Sequence, residues 1–371
     1  MKKLVLMFSA LFFAGTFVVK AQDVPMAVLQ KGDDTQCFYG SGSFCDACKA
    51  ADHGDIITLS EGIFTAPTIT KAVSIFGSGA DLVTDTIAKP LTRMNGDIHI
   101  AVDSVDGKPA TGLYMEGILS DEEVWVEHHL EQASFAKCRF KNFNFYASAD
   151  TTMTTSQMCN FYQCRFAGYL EPGDANALAI HNSVINDIGR NTSESTVNVF
   201  NCVVINTSNQ LQNAVFKNSY FYAVRISGSY RIHSGGSKNN TCGNSSMFSN
   251  CTVHLSCSAF NCLDNYLNTN VNKFKNVTIK VSMYYGNTSD GYNPFKRSTT
   301  SYSDTNSYEL TDEAKTKYLG TDGNPICLYG GDYPYTTRPS VPYIVEKNIG
   351  TKSENGKLKV SVKVAVPGAS L

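Results

Sequence analysis

The chain predicts an all-β solenoid, and three observations carry that prediction. The first is a short phrase that keeps returning. It reads Phe135-x-x-Cys138-Arg-Phe140, then Phe161-x-x-Cys164-Arg-Phe166. It returns around Asn182, in Phe200-Asn201-Cys202, in Phe216-Lys-Asn218, in Phe248-Ser-Asn250-Cys251, in Phe260-Asn261-Cys262 and in Phe274-Lys-Asn276. The second is the spacing: 26 residues from Cys138 to Cys164, 19 from Asn182 to Asn201 and 17 from Asn201 to Asn218. A β-rich run plus a polar turn of that size cannot bury its own apolar face, so it must stack on copies of itself. The third is composition. Only 17% of residues are charged, and Asn, Ser and Thr are abundant, which suits stacked strands whose polar turns bond one another.

Residues 1–21 read as a secretory signal peptide. Lys2 and Lys3 form its basic start, and Leu4 to Val19 is an apolar run too short to span a bilayer comfortably. Val19-Lys20-Ala21 offers the cleavage point, and the first cysteine after it is Cys37, so no lipid-accepting Cys stands there. The Lys-Ala-Gln start after a short hydrophobic core resembles exported proteins of Gram-negative gut bacteria. The expected location is the periplasm, the cell surface or the medium, with no membrane span.

A lead-in covers 22–42. Residues 43–51 read as a short amphipathic helix, with Ser43 as its cap and Cys45, Cys48 and Ala51 on one face. Gly54-Asp55-Ile56-Ile57-Thr58-Leu59 and Val73-Ser74-Ile75-Phe76-Gly77 then supply short strands, and Ile57 to Ile75 is one coil of 18 residues. A short helix, then Gly-Asp-x-Ile-x-Leu-x-x-Gly-x-Phe, then Val-x-Ile-x-Gly-x-Gly, resembles the opening of right-handed parallel β-helix proteins, the pectate-lyase-like superfamily. The resemblance implies a right-handed parallel β-helix over 43–335 with the helix capping its open end. At about ten coils and about 4.8 Å per strand it would be about 50 Å long. It implies no particular activity, because that superfamily holds lyases, hydrolases and adhesins.

Within the coils, Phe200, Cys202, Val204, Phe216 and Phe274 are expected to point inward. Ser148–Gln157, Gly168–Asn176, Ser227–Ser246 and Gly286–Ser307 read as loops leaving the coil, where binding residues usually sit. Residues 311–335 read as the last coil and its exit. In 336–371, Pro339 and Pro342 mark a linker. Ile344–Ile349 and Leu358–Val366 then flank Asn355-Gly356 as a β-hairpin. A lone hairpin is marginal in water, so it is expected to dock on the solenoid or on a protein partner.

Removing Lys2, Lys3 and Lys20 leaves 28 basic against 33 acidic residues, and nothing forms a basic stripe, which argues against nucleic acid as a partner. Twelve cysteines in an exported chain raise the question of disulfides. Cys138, Cys164, Cys202, Cys251 and Cys262 occupy one slot of the repeat, and free Cys packs as a small buried hydrophobe, so mostly reduced core cysteines are expected. Pairing among Cys37, Cys45 and Cys48, or among Cys242, Cys251 and Cys257, stays open. Cys45-x-x-Cys48 lacks the second ligand pair that a zinc site needs, and no metal or cofactor is expected.

Glu123-Val124-Trp125-Val126-Glu127-His128 resembles the Val-Trp-Ile-Asp-His stretch of pectate lyases, where nearby acidic residues hold calcium. The Arg-x-Pro-x-x-Arg motif that supplies the base there is absent, so Val124 and Val126 read as strand residues and His128 and His129 as turn residues. Arg139 and Arg165 follow the inward cysteines in equivalent slots. They could grip an acidic sugar, or form a solvated ladder with acidic neighbours. Tyr230, Arg231 and His233 combine an aromatic ring, a cation and a titratable imidazole in the loop 227–247, which makes a candidate glycan contact. Tyr284, Tyr285, Tyr292 and Phe295 form a second aromatic insertion. The expected function is glycan binding through loops on the solenoid face without catalysis. The alternatives are a diverged polysaccharide lyase or glycoside hydrolase, and a structural or adhesive surface module.

Overall fold

The computed structural model describes residues 24–80, 91–108, 110–128, 130–145, 159–173, 177–189, 196–207, 214–224, 247–249, 252–257, 274–275, 278–283, 295–297, 301–320, 322–336, 340, 343–354 and 357–365. The protein is mainly β, built on two long sheets of twelve strands each. The first opens with an antiparallel hairpin, β1 (Met26–Lys31) and β2 (Asp34–Tyr39). Ten parallel strands follow, from Ile56–Leu59 through Ser134–Ala136, Cys159–Tyr162, Ala177–His181 and Thr196–Phe200 to Phe274–Lys275. The second sheet runs in parallel from Gly62–Thr65 through Ile118–Val126, Arg139–Phe145, Arg165–Glu171, Val184–Ile188 and Val203–Thr207 to Thr278–Met283. From Tyr114 onward the chain visits the two sheets alternately, so each unit of the repeat gives one strand to each.

A left-handed residue makes the corner between the two strands of a unit. Lys137, Gln163, Asn182, Asn201 and Asn218 all have φ between 46° and 57°. That conformation costs an ordinary residue about 1–2 kcal/mol, and Asn suffers least. Four corner N–H groups donate to the next unit: Lys137 to Tyr162 O at 2.8 Å, Gln163 to His181 O at 2.9 Å, Asn182 to Phe200 O at 3.0 Å and Asn201 to Lys217 O at 3.1 Å. Gly117 (φ 70°) serves an earlier corner, and a Cβ there would lie 2.9 Å from Gly77 O.

The corner sets the phase of each strand. Two residues before it the side chain points inward: Phe135, Phe161, Ile180, Val199 and Phe216 are all buried. One residue before it the side chain points outward, so Phe200 faces away from the core, contrary to expectation. Its ring stacks on His181 at 5.0 Å, which stacks on Tyr162 at 5.1 Å. Val199 takes the inward place in that coil. Cys202, Val204 and Phe216 are inward as expected; Phe274 pairs in register with Phe248, and its side chain lies outside the described residues. The core holds a phenylalanine stack, with Phe135 on Phe161 at 5.0 Å and Phe143 edge-on to both.

The slot after the corner holds Cys138, Cys164, Ser183, Cys202 and Ser219, all fully buried. The three cysteines carry free thiols, as do Cys37, Cys45, Cys48, Cys159 and Cys327. Cys242, Cys251 and Cys262 lie outside the described residues. Burial pushes the Cys164 thiol up to about 12. Serine and cysteine make the same bond from this slot: Ser183 Oγ accepts from Cys164 N at 2.9 Å, and Cys202 Sγ accepts from Ser183 N at 3.4 Å.

The first helix spans Ser43–Ala50. Gly42 takes the N-cap position rather than Ser43, whose side chain is fully buried. Its buried face is Phe44, Ala47 and Cys48, continued by Ala51, while Cys45 is half-exposed. Two further expectations are corrected. Gly168–Glu171 is not a loop but the end of strand Arg165–Glu171. Residues 311–335 are not a last coil: they contain one short helix, Asp312–Lys317, and lie as a strap on the outside of the corner. Phe295, Tyr308, Leu310 and Tyr318 pack there on the outward Val184, Val203, Ile205 and Tyr220. The strap passes the corners in reverse chain order. Asn218 O accepts from Cys327 N, Asn182 Nδ2 donates to Leu328 O and Gly330 O, Gln163 Nε2 donates to Pro334 O, and Lys137 Nζ donates to Ser340 Oγ. The tail forms an antiparallel hairpin, Tyr343–Glu354 with Lys357–Ala365.

Candidate functional site

The strap divides the outer face of the second sheet. It covers the outward Arg139, Arg165, Val184, Val203 and Tyr220; beyond it the outward residues Glu123, Trp125 and Tyr169 are half-buried, and Asn142 and Asn144 are buried. Three neighbouring strands carry a β-bulge at the boundary, between Ser120 and Glu123, between Phe140 and Phe143, and between Phe166 and Tyr169. A bulge shifts the alternation of side chains, and bulges often re-aim a side chain beside a site. Val124, Val126, Phe143, Phe145 and Leu170 return to the core beyond it. Glu123, Trp125, Glu127, Asn142, Asn144, Tyr169 and Glu171 consequently point outward together.

These side chains form one network. Glu123 accepts from Asn142 Nδ2 at 2.6 Å through one oxygen, and from Asn144 Nδ2 at 2.7 Å and the Tyr169 hydroxyl at 3.4 Å through the other. Asn142 Oδ1 in turn accepts from Tyr169 N at 2.9 Å. Gly168 permits that approach, because a Cβ there would meet Lys141 O at 2.8 Å and would overlap Asn142. Burial and the neighbouring Glu123 push the Tyr169 phenol up. Trp125 lies between His99 and Asn144 in register, and His99 Nδ1 meets Glu127 Oε1 at 2.6 Å. Asp97, Glu171 and Asp187 add carboxylates around the network, and Lys141 is paired with Glu122 at 3.6 Å.

Arg139 and Arg165 do stack in register on adjacent strands, but the strap buries both, at 8% and 2% exposure. Arg139 makes a bidentate pair with Asp304, at 3.0 and 2.8 Å, and a second pair with Asp121. Burial alone would raise Asp304, but the Arg139 and Tyr302 hydrogen bonds outweigh it and hold the carboxyl below its ordinary value. Arg165 donates to the Tyr335 hydroxyl at 2.8 Å and to Asn306 O at 3.1 Å, with its guanidinium over the Tyr308 and Tyr335 rings. The cleft beside them, lined by Glu116, Lys137, Gln163 and Tyr335, measures about 20 Å³. That is room for a water molecule and far too little for a sugar ring. The arginines therefore hold the strap.

Tyr230, Arg231 and His233 lie outside the described residues, as do His129, Tyr284, Tyr285 and Tyr292. Phe295 is buried against Tyr220 and Tyr308. Among the described residues no group of three or more His, Cys, Asp or Glu could hold a metal ion, and no helix is long and apolar enough to cross a membrane. No family model matches the chain, and no curated protein or solved structure is significantly similar to it. The missed residues left a faint signal: Glu123-x-Trp125-x-Glu127, Asn142-x-Asn144 and Tyr169-x-Glu171 each repeat at the period of a strand.

Proposed function

We propose that the protein is an exported right-handed parallel β-helix that binds a neutral glycan on the half of its second sheet that the strap leaves uncovered, without cleaving it. The observation that carries this reading is the Glu123–Asn142–Asn144–Tyr169 network, set by the bulges and flanked by Trp125. Amides and carboxylates held in advance suit sugar hydroxyls, and an outward aromatic ring suits the apolar face of a pyranose. The surrounding carboxylates repel uronates, and the arginines that would attract them are engaged by the strap. Both Glu123 oxygens already accept hydrogen bonds, which favours a fixed acceptor over an acid that must deliver a proton. The export reading rests on residues 1–21, and the solenoid reading on the alternation of strands between the two parallel sheets.

The test is a panel of neutral and uronate polysaccharides, with binding measured by calorimetry and cleavage by reducing-end release. At least one neutral polymer should bind, and no new ends should appear. Trp125→Ala and Tyr169→Ala should each weaken that binding about tenfold, a loss of about 1.4 kcal/mol, with melting temperature nearly unchanged. Release of new ends would replace this reading with a hydrolase or lyase. Failure to bind any polymer would leave a structural or adhesive module.

A further inference from the structure

The end of the stack opposite the last coil carries an open strand edge. β2 is the terminal strand of the first sheet, and among the described residues only β1 pairs with it. Asp34, Thr35, Gln36, Cys37 and Tyr39 are all exposed, Tyr39 at 70%. The direction of its free groups follows from the hairpin. Gly40 donates to Pro25 O at 2.8 Å, and the Gly32-Asp33 turn is closed by Lys31 opposite Asp34. Bonding residues alternate along an antiparallel pair, so Asp34, Gln36 and Phe38 turn their backbone groups toward β1. Thr35, Cys37 and Tyr39 turn theirs away, leaving three N–H and three C=O groups along the free edge. No proline, lysine or arginine guards it.

The geometry points to pairing of β2 with β2 of a second copy of this chain, antiparallel and centred on Cys37. A two-fold axis requires antiparallel edges, and β2 is the antiparallel end of an otherwise parallel stack. Centring on Cys37 sets Thr35 opposite Tyr39 and Gln36 opposite Phe38 of the other copy. No like charges face one another, and all six free groups find partners. A centre between Gln36 and Cys37 would set bonding against non-bonding residues and leave them unmatched. Exposed apolar side chains at the same end supply surface around the strand: Val24, Ile56 and Ile63 are 50%, 36% and 56% exposed.

The experiment uses the full chain after removal of residues 1–21. Light scattering at tens of micromolar should give a dimer. A short bis-maleimide should link two copies through Cys37, since paired Cα atoms at that position lie about 5.5 Å apart. Cys37→Ser should abolish the link. Thr35→Pro removes an outward N–H while leaving the β1 ladder whole, and should give a monomer with unchanged circular dichroism. Cys37→Asp sets two carboxylates face to face at the axis and should also give a monomer, so the inference stays testable if the proline variant misfolds. A monomeric parent, a larger assembly, a link that survives Cys37→Ser, or a Cys37→Asp protein that stays dimeric would each overturn it.

Discussion

Replacing Asp304 with Asn removes one charge from the pair that fastens the strap. The shape is kept, but Arg139, 8% exposed, loses its bidentate partner. Breaking a fully buried pair from one side costs about 3–5 kcal/mol. Two features reduce that figure here: the Asp304 side chain is 24% exposed, and Asp121 still faces the guanidinium. The expected loss at pH 7 is about 2 kcal/mol, or roughly 4 °C in melting temperature for a chain of this size. The pH dependence sharpens the test. Asp304 titrates below its ordinary value in the folded protein, so its contribution is complete above the unfolded carboxylate range near pH 4. It is lost as pH falls through the folded value. Melting curves of parent and variant, measured from pH 7 down to pH 2, should converge at the acid end. Hydrogen exchange should report faster opening of 301–336 in the variant at pH 7. Equal melting at pH 7, or a gap that does not narrow as pH falls, would refute the claim that this pair fastens the strap.

Val199→Asp should unfold the coils around it, because a charge is forced into the core, whereas Phe200→Asp should cost under about 2 kcal/mol; thermal melts of the two separate the phases of the strand. Thiol titration without reductant should find Cys37 fast in the native protein. Cys138, Cys164 and Cys202 should react only in denaturant, since all three are buried away from the reagent.

The strands were legible in the chain because the repeat is anchored by residues that must fit one place. The phase at Phe200 was not, because phenylalanine serves both faces of these strands, inward at Phe161 and Phe216 and outward at Phe200. The asparagines are the physical anchor, since Asn182, Asn201 and Asn218 all hold the left-handed corner. Counted back from them, Ile180, Val199 and Phe216 fall in the core and His181, Phe200 and Lys217 fall outside. The outward polar face stayed hidden for a different reason. Each bulge inserts an odd step, so Phe140 and Phe143 both point inward three residues apart, and simple alternation from Phe140 would turn Asn142 toward the core. The strap could not be read at all: its hydrogen-bond partners on the two sheets are 109 to 224 residues away, and no local pattern announces them.

That distance has a consequence for the life of the protein. Coils can form one after another as the chain emerges, each contact lying within a few tens of residues. The strap can close only when Asn306, Tyr335 and Ser340 exist, by which time the coils around Glu116 and Arg165 are in place. Interactions made after the rate-limiting step slow unfolding without speeding folding. Loss of the strap should therefore leave the folding rate nearly unchanged and shorten survival against proteases. Persistence is then set by a segment synthesised after the strands that it covers.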